Sequence, residues 1–158
     1  MRKIFALYLV VFMSMLACSK DQNSPDEEIP DETVFEVEGQ YIGTWDDNFY
    51  SDFPISAEIN SKGNGTYGGP FFYSQLGPFT PCCMDSGDNG SISFDIKGDS
   101  VTNFVYDQDL RFYKGGCPGK YKGSGVWSEE NGWLTIDFTG DDCDGTHVGG
   151  QIILRSQG

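Results

Sequence analysis

Ser91-Ile92-Ser93-Phe94-Asp95-Ile96-Lys97, then Gly98-Asp99-Ser100, then Val101-Thr102-Asn103-Phe104-Val105-Tyr106 is the stretch that decides the fold. In its first segment Ile92, Phe94 and Ile96 alternate with Ser93, Asp95 and Lys97. A two-residue period of this kind marks a strand with one buried face. The Gly-Asp step favours positive φ and a tight reversal. A second β-branched and aromatic run follows at once, so the unit reads as a β-hairpin.

The pattern recurs on both sides. Strand candidates fall at 41–46, 55–60, 66–73, 91–97, 101–106, 120–127, 133–138 and 148–155. The weakest is 66–73, because Gly68, Gly69 and Pro70 interrupt it. Linkers 61–65, 98–100 and 128–132 are turn-like. Linkers 47–54, 74–90, 107–119 and 139–147 are longer and hold the aromatic and Cys residues. The two kinds alternate along the chain. In an up-and-down meander alternate linkers lie at opposite ends, so all the long ones are expected at one end. This predicts an all-β, eight-stranded antiparallel up-and-down barrel. A two-sheet sandwich is the alternative, since alternating strands do not by themselves prove closure.

Gly43-Thr44-Trp45 on the first strand and Arg155 on the last resemble the Gly-x-Trp and late Arg of the lipocalin signature. The resemblance is to the calycin barrels, that is lipocalins, fatty-acid-binding proteins and avidins, and it covers residues 40–158. It implies that Trp45 plugs the closed end, that Arg155 packs on it, and that loops ring an open mouth. Gly43-Thr44-Trp45 and Gly65-Thr66-Tyr67 are also similar to avidin. However, Trp45, Trp127 and Trp133 do not reproduce a tryptophan-lined pocket, so biotin is not carried over.

With 24 acidic and 10 basic residues among 158, the formal charge is −14. Such a balance argues against nucleic acid, whose phosphates repel it, and against docking on an anionic membrane through a basic patch. The wealth of Gly (21 residues) and aromatics (15%) agrees with strands and tight turns.

The first residues read as an address. Arg2 and Lys3 precede an apolar run over 4–13 that is too short to span a bilayer. Met15-Leu16-Ala17-Cys18 resembles the lipobox of bacterial lipoproteins. The resemblance implies a signal peptide over 1–17 and a diacylated Cys18 as the mature N-terminus. Ser19-Lys20-Asp21 resembles the surface-export signal of Bacteroidota-type lipoproteins. Loss of Arg2 and Lys3 takes the charge from −14 to −16. Residues 18–39 are acidic, broken by Pro25 and Pro30, and read as a disordered tether. The expected location is the outer membrane, held by the lipid and facing either side. More than one acyl chain gives stable anchoring.

In an exported chain Cys82, Cys83, Cys117 and Cys143 are expected to form disulfides. A bond between the adjacent Cys82 and Cys83 would be strained. The expectation is therefore that each reaches to Cys117 or Cys143, in an order left open. A thiolate metal site with His147 or Asp144 is the rival, but C-x₂-C spacing is absent. The acidic runs 85–90 and 141–145 suggest calcium, yet Ile96 stands where an EF-hand counted from Asp85 needs its bidentate carboxylate. No metal and no cofactor are expected.

Catalytic signals are few. His147 is the one imidazole, no nucleophile elbow or zinc motif occurs, and the pairs Asp46/Asp47 and Asp107/Asp109 suit acidic loops in general. The chain is not expected to be an enzyme. The better signal is aromatic: Phe49 and Tyr50 in the first long linker, Phe72 and Phe79 in or beside the second, and Arg111-Phe112-Tyr113 in the third. These predict a binding module for a small apolar or amphipathic ligand at the open end. The alternative is an accessory lipoprotein whose aromatic loops meet a glycan or a partner protein.

Overall fold

The computed structural model describes residues 36–74, 77–80, 89–110 and 116–158. The signal and lipidation readings, most of the acidic tether, Cys82, Cys83, Arg111, Phe112 and Tyr113 lie outside the described residues. The strands are β1 (Gly39–Asp46), β2 (Phe53–Gly63), β3 (Thr66–Tyr73), β4 (Gly90–Lys97), β5 (Ser100–Gln108), β6 (Gly119–Ser128), β7 (Trp133–Asp142) and β8 (Gly145–Ser156). Each pairs antiparallel with its sequence neighbour, and β8 returns to β1 through partners such as Thr44 and Ile153. The sheet is closed, which leaves no strand edge open to a stranger. The architecture is the calycin-like barrel expected, and the sandwich is excluded.

One linker departs from expectation. The stretch 139–147 is ladder almost throughout. β7 runs to Asp142 and β8 starts at Gly145, leaving Cys143-Asp144 as a two-residue turn. The parity of the meander still holds. The connections β1–β2, β3–β4, β5–β6 and β7–β8 share one end, here called the loop end. Gly63, Asn64 and Gly65, Gly98, and Gly132 supply the positive φ angles of the tight turns at the other end.

Inward positions follow the two-residue period, corrected by bulges. Val101 and Phe104 are three apart, yet both are buried. Asn103, at φ 52°, is the extra residue that restores phase. A second bulge lies in β8: Phe138 faces Gly150 and Gly140 faces His147, so three steps on β8 oppose two on β7. Gly149, at φ 62°, absorbs the offset. Plain alternation from Ile152 and Leu154 would place Val148 inside and His147 outside. The bulge inverts this: Val148 is 53% exposed and His147 is 1% exposed.

Every strand sends large side chains inward. Tyr41, Ile59, Phe94, Trp127 and Leu134 belong to this core. Around Trp45 the packing is aromatic. Its ring lies 4.1 Å from Phe138, 5.0 Å from Tyr121 and 5.9 Å from Tyr106, centroid to centroid. Glycine makes room for two of these rings. A Cβ on Gly150 would sit 2.2 Å from the Phe138 ring, and one on Gly140 would sit 2.3 Å from that of Tyr121.

Two details carried by the lipocalin resemblance are corrected. Trp45 stands at the last inward position of β1, toward the loop end, and does not plug the tight-turn end; Tyr41 and Trp127 pack there, 6.3 Å apart. Arg155 does not touch Trp45. Position 155 on β8 points outward, and its guanidinium lies 4.6 Å from the Trp133 ring, on the outside of the barrel. The Gly-x-Trp here is at the end of the first strand, so no late Arg can reach it from within.

Candidate functional site

The loop end is closed by a buried polar network built on the aromatic layer. Asp47 continues the inward phase of Tyr41, Gly43 and Trp45, and its carboxylate is fully buried. It accepts hydrogen bonds from Trp45 Nε1 at 2.7 Å and from the backbone N–H groups of Phe49 at 2.8 Å and Tyr50 at 2.9 Å. His147 Nδ1 lies 2.5 Å from Asp47 Oδ2. On its other side His147 Nε2 is 3.1 Å from Asp142 Oδ1, an ionic contact without the alignment of a hydrogen bond. Asp142 accepts from Tyr121 Oη at 2.8 Å and from the Asp144 N–H at 2.8 Å. Gln108 links this cluster to the Cys117 carbonyl, 2.8 Å away, and accepts from Tyr73 Oη at 2.5 Å.

The electrostatics are self-consistent. Burial alone would raise the Asp47 carboxyl, but His147, Trp45 and two backbone N–H groups outweigh it and hold the carboxyl below its usual range. Asp142 behaves alike: burial opposes ionisation, while Tyr121 and His147 win and lower it. For His147 burial disfavours the cation, but two carboxylates favour it more, and its value is raised. The site holds an imidazole between two carboxylates that favour its charged form, with Tyr73 and Tyr121 kept neutral chiefly by burial. The imidazole of His147 is 1% exposed. It fixes the chain of the loop end.

What it fixes is an exposed rim. Phe49 is 47% and Tyr50 41% exposed, although their loop is tied on both flanks. Asn48 donates to the Thr146 carbonyl at 3.3 Å and accepts from the Val148 N–H at 2.8 Å. Tyr50 Oη donates to Asp144 at 3.2 Å; partial burial and the Asp144 charge push its phenol up to about 12. Phe49 leans on His147 at 4.7 Å between ring centroids. Of the other residues expected to bind ligand, Phe72 and Phe79 pack together at 6.2 Å outside the barrel wall, away from this rim. Arg111, Phe112 and Tyr113 lie outside the described residues.

The disulfide also departs from expectation. Cys117 is bonded to Cys143, joining the β5–β6 connection to the β7–β8 turn. Neither therefore bridges to Cys82 or Cys83. The bond closes a loop with a sequence separation of 26. Its reduction is expected to lower stability by about 3–4 kcal/mol through restored freedom of the unfolded chain. Denaturant titration with and without reductant measures this, and an unchanged midpoint would refute it. Cys117, Cys143 and Asp142 also have ligand atoms close together. With both sulfurs in a disulfide, no thiolate is available to hold a metal there.

Sequence reasoning missed the network for a definite reason. His147, Asp47 and Asp142 fall in the linkers 47–54 and 139–147 of the sequence reading, and the Gly149 bulge that turns His147 inward leaves no trace in simple alternation. One signal was present: Asp47 continues the inward series 41, 43, 45. Comparison with family models, with curated proteins and with solved structures finds no match to this chain, so its likeness to calycin barrels rests on strand order and closure alone.

Proposed function

We propose that this chain is a cell-envelope lipoprotein that binds through the loop-end rim of its barrel, with Phe49 and Tyr50 as the contact platform for a glycan. The observation that carries the reading is an aromatic pair left in water on a loop already fixed by hydrogen bonds to Asp47 and Asn48. Pre-ordered aromatics contact a ligand at little further entropic cost. A ring face meets the C–H face of a sugar, and the flanking Asp144 and Asp46 carboxylates can accept from its hydroxyls. An apolar ligand deep in the barrel is the less favoured form of the same role, because Trp45, Tyr106, Tyr121 and Phe138 occupy the interior beneath the rim.

In this reading the chain is acylated at Cys18 and held at the outer membrane by residues 18–39. A Cys18→Ala variant is expected to move from the membrane to the soluble fraction. Mass spectrometry of the membrane-derived protein should show an acylated N-terminal cysteine. An unmodified Cys18 would overturn the anchor. For the rim, calorimetry of the purified chain against a glycan panel is the test. Phe49→Ala or Tyr50→Ala should each weaken any binding found by roughly thirtyfold, the size of a loss of about 2 kcal/mol at an interfacial aromatic. Unaltered binding in both variants would sink the assignment.

A further inference from the structure

We propose that His147 is a proton-operated latch between the β1–β2 loop and the β7–β8 turn, closed in mildly acidic surroundings and opened as protons are lost, so that the Tyr50 ring of the rim is held in one state and released in the other. The latch adds regulation to the rim, and it rests on the rim reading only for its consequence to a ligand.

The two contacts of the imidazole are unequal. Nδ1 is hydrogen-bonded to Asp47 Oδ2 at 2.5 Å, whereas Nε2 lies 3.1 Å from Asp142 Oδ1 without hydrogen-bond alignment. An imidazolium carries a proton on each nitrogen and attracts both carboxylates. A neutral imidazole keeps one proton. It stays on Nδ1, since its loss there would set a lone pair against the nearer carboxylate. The lone pair left on Nε2 then faces Asp142 Oδ1, and both groups are buried. Two acceptors in contact with no proton between them repel, and burial strengthens the repulsion. Asp142 is the side that gives way, because Asp47 keeps three further donors, Trp45 Nε1 and the N–H groups of Phe49 and Tyr50.

What moves with Asp142 is the turn. Its Oδ1 also accepts from the Asp144 N–H at 2.8 Å, and Asp144 Oδ2 accepts from Tyr50 Oη at 3.2 Å. The chain of contacts from His147 through Asp142 and Asp144 thus ends on an exposed ring of the rim. The Cys117–Cys143 bond ties the turn to the β5–β6 connection, so the change is local.

His147 is the group that changes charge. The ionisable groups packed around it are Asp47 and Tyr50 from the β1–β2 loop, Tyr121 from β6 and Asp142 from β7. Tyr73 of β3 joins them through Gln108 of β5. Among the described residues no Lys or Arg is joined to this group. Burial raises the three phenols, and Asp47 and Asp142 are lowered from 3.8, so none of these changes charge near neutral pH. His147 is raised from 6.5 by its two carboxylates against the effect of burial. The latch is therefore closed below 6.5 and opens as pH rises through the raised value.

Solvent-exchange NMR of the whole chain, from about pH 5 to 9, tests the latch with no ligand present. As the imidazole titrates, the Asp144 amide is expected to lose about tenfold in protection with the same midpoint, the scale of one hydrogen bond to a charged group. Nuclear Overhauser contacts between the Tyr50 ring and Asp144 should fade over the same range, while the Phe49 and Tyr50 amides keep their protection. Asp142→Asn removes the facing charge, so in that variant the protection of Asp144 should scarcely depend on pH, whatever its starting level. A flat response at Asp144 in the parent, an equal fall in Asp142→Asn, or an equal loss at the Phe49 and Tyr50 amides would overturn the latch, whether or not the rim binds a glycan. A glycan held by the rim should bind more weakly on the alkaline side in the parent and not in Asp142→Asn. Absence of any glycan binding would sink the rim reading and leave the latch to be judged on the amides.

Discussion

Trp45→Ala is expected to remove about 3–5 kcal/mol of stability, the cost of a deleted aromatic in a packed core. For a domain whose whole stability is about 5–15 kcal/mol, that is a large share. Trp45 is 2% exposed and touches rings from β3, β5, β6, β7 and β8. Loss of the indole removes the ring that these aromatics share. It also removes the Nε1 donor to Asp47, leaving that buried carboxylate with one partner fewer. Trp45→Phe separates the two effects, because it keeps most of the packing and loses the donor. Urea denaturation should rank the chains parent, Trp45→Phe, Trp45→Ala. A deficit below about 1 kcal/mol for Trp45→Ala would mean that the loop-end interior tolerates a void, and the account of this core would be wrong.

The barrel was legible because most of its code is local. Ile92, Phe94 and Ile96 announce a half-buried strand, and Gly98 announces the turn after it. The alternation of short and long linkers then points to an up-and-down meander, although it leaves closure open and one of its long linkers, 139–147, is in fact ladder with a two-residue turn. What escaped is what depends on phase. A bulge adds one residue and flips every side chain beyond it, as at Asn103 and Gly149. The strand 101–106 survived, since Val101 and Phe104 are both apolar and either phase reads as strand. The start of β8 did not, since Val148 and His147 exchange faces there. The lipocalin resemblance misled for a related reason. A Gly-x-Trp triplet does not say at which end of its strand the Trp stands, and here β1 begins at Gly39, well before Trp45. The rim was partly legible: Phe49 and Tyr50 are exposed at the loop end as expected, whereas Phe72 and Phe79 serve the outer wall.

His147→Leu is expected to cost about 3–5 kcal/mol in mildly acidic solution, because it leaves the carboxylates of Asp47 and Asp142 buried without their shared cation. Its pH dependence distinguishes this cause from lost packing. In the parent chain His147 is raised above its ordinary 6.5, so its contribution is complete below that value and fades as pH rises through the raised one. Asp47 and Asp142 are lowered from 3.8, so their contributions are complete above that value and fade as pH falls through the lowered ones. The network is therefore at full strength between about pH 4 and 6.5, and the parent loses stability on either side. In the variant the two carboxylates repel each other and take up a proton readily on acidification. The deficit should be widest within that window, shrink toward lower pH as the variant is relieved, and shrink again at alkaline pH as the parent loses its imidazolium. Adding Asp142→Asn to His147→Leu should restore part of the loss by removing one of the two facing charges. Denaturant titrations from pH 4 to 9 measure the stabilities. The single imidazole of the chain gives one unambiguous proton NMR titration, in which a midpoint above 6.5 is expected. A deficit constant across the range, or an imidazole that titrates below 6.5, would show that His147 is a neutral packing residue and that the loop end is held by something other than its charge.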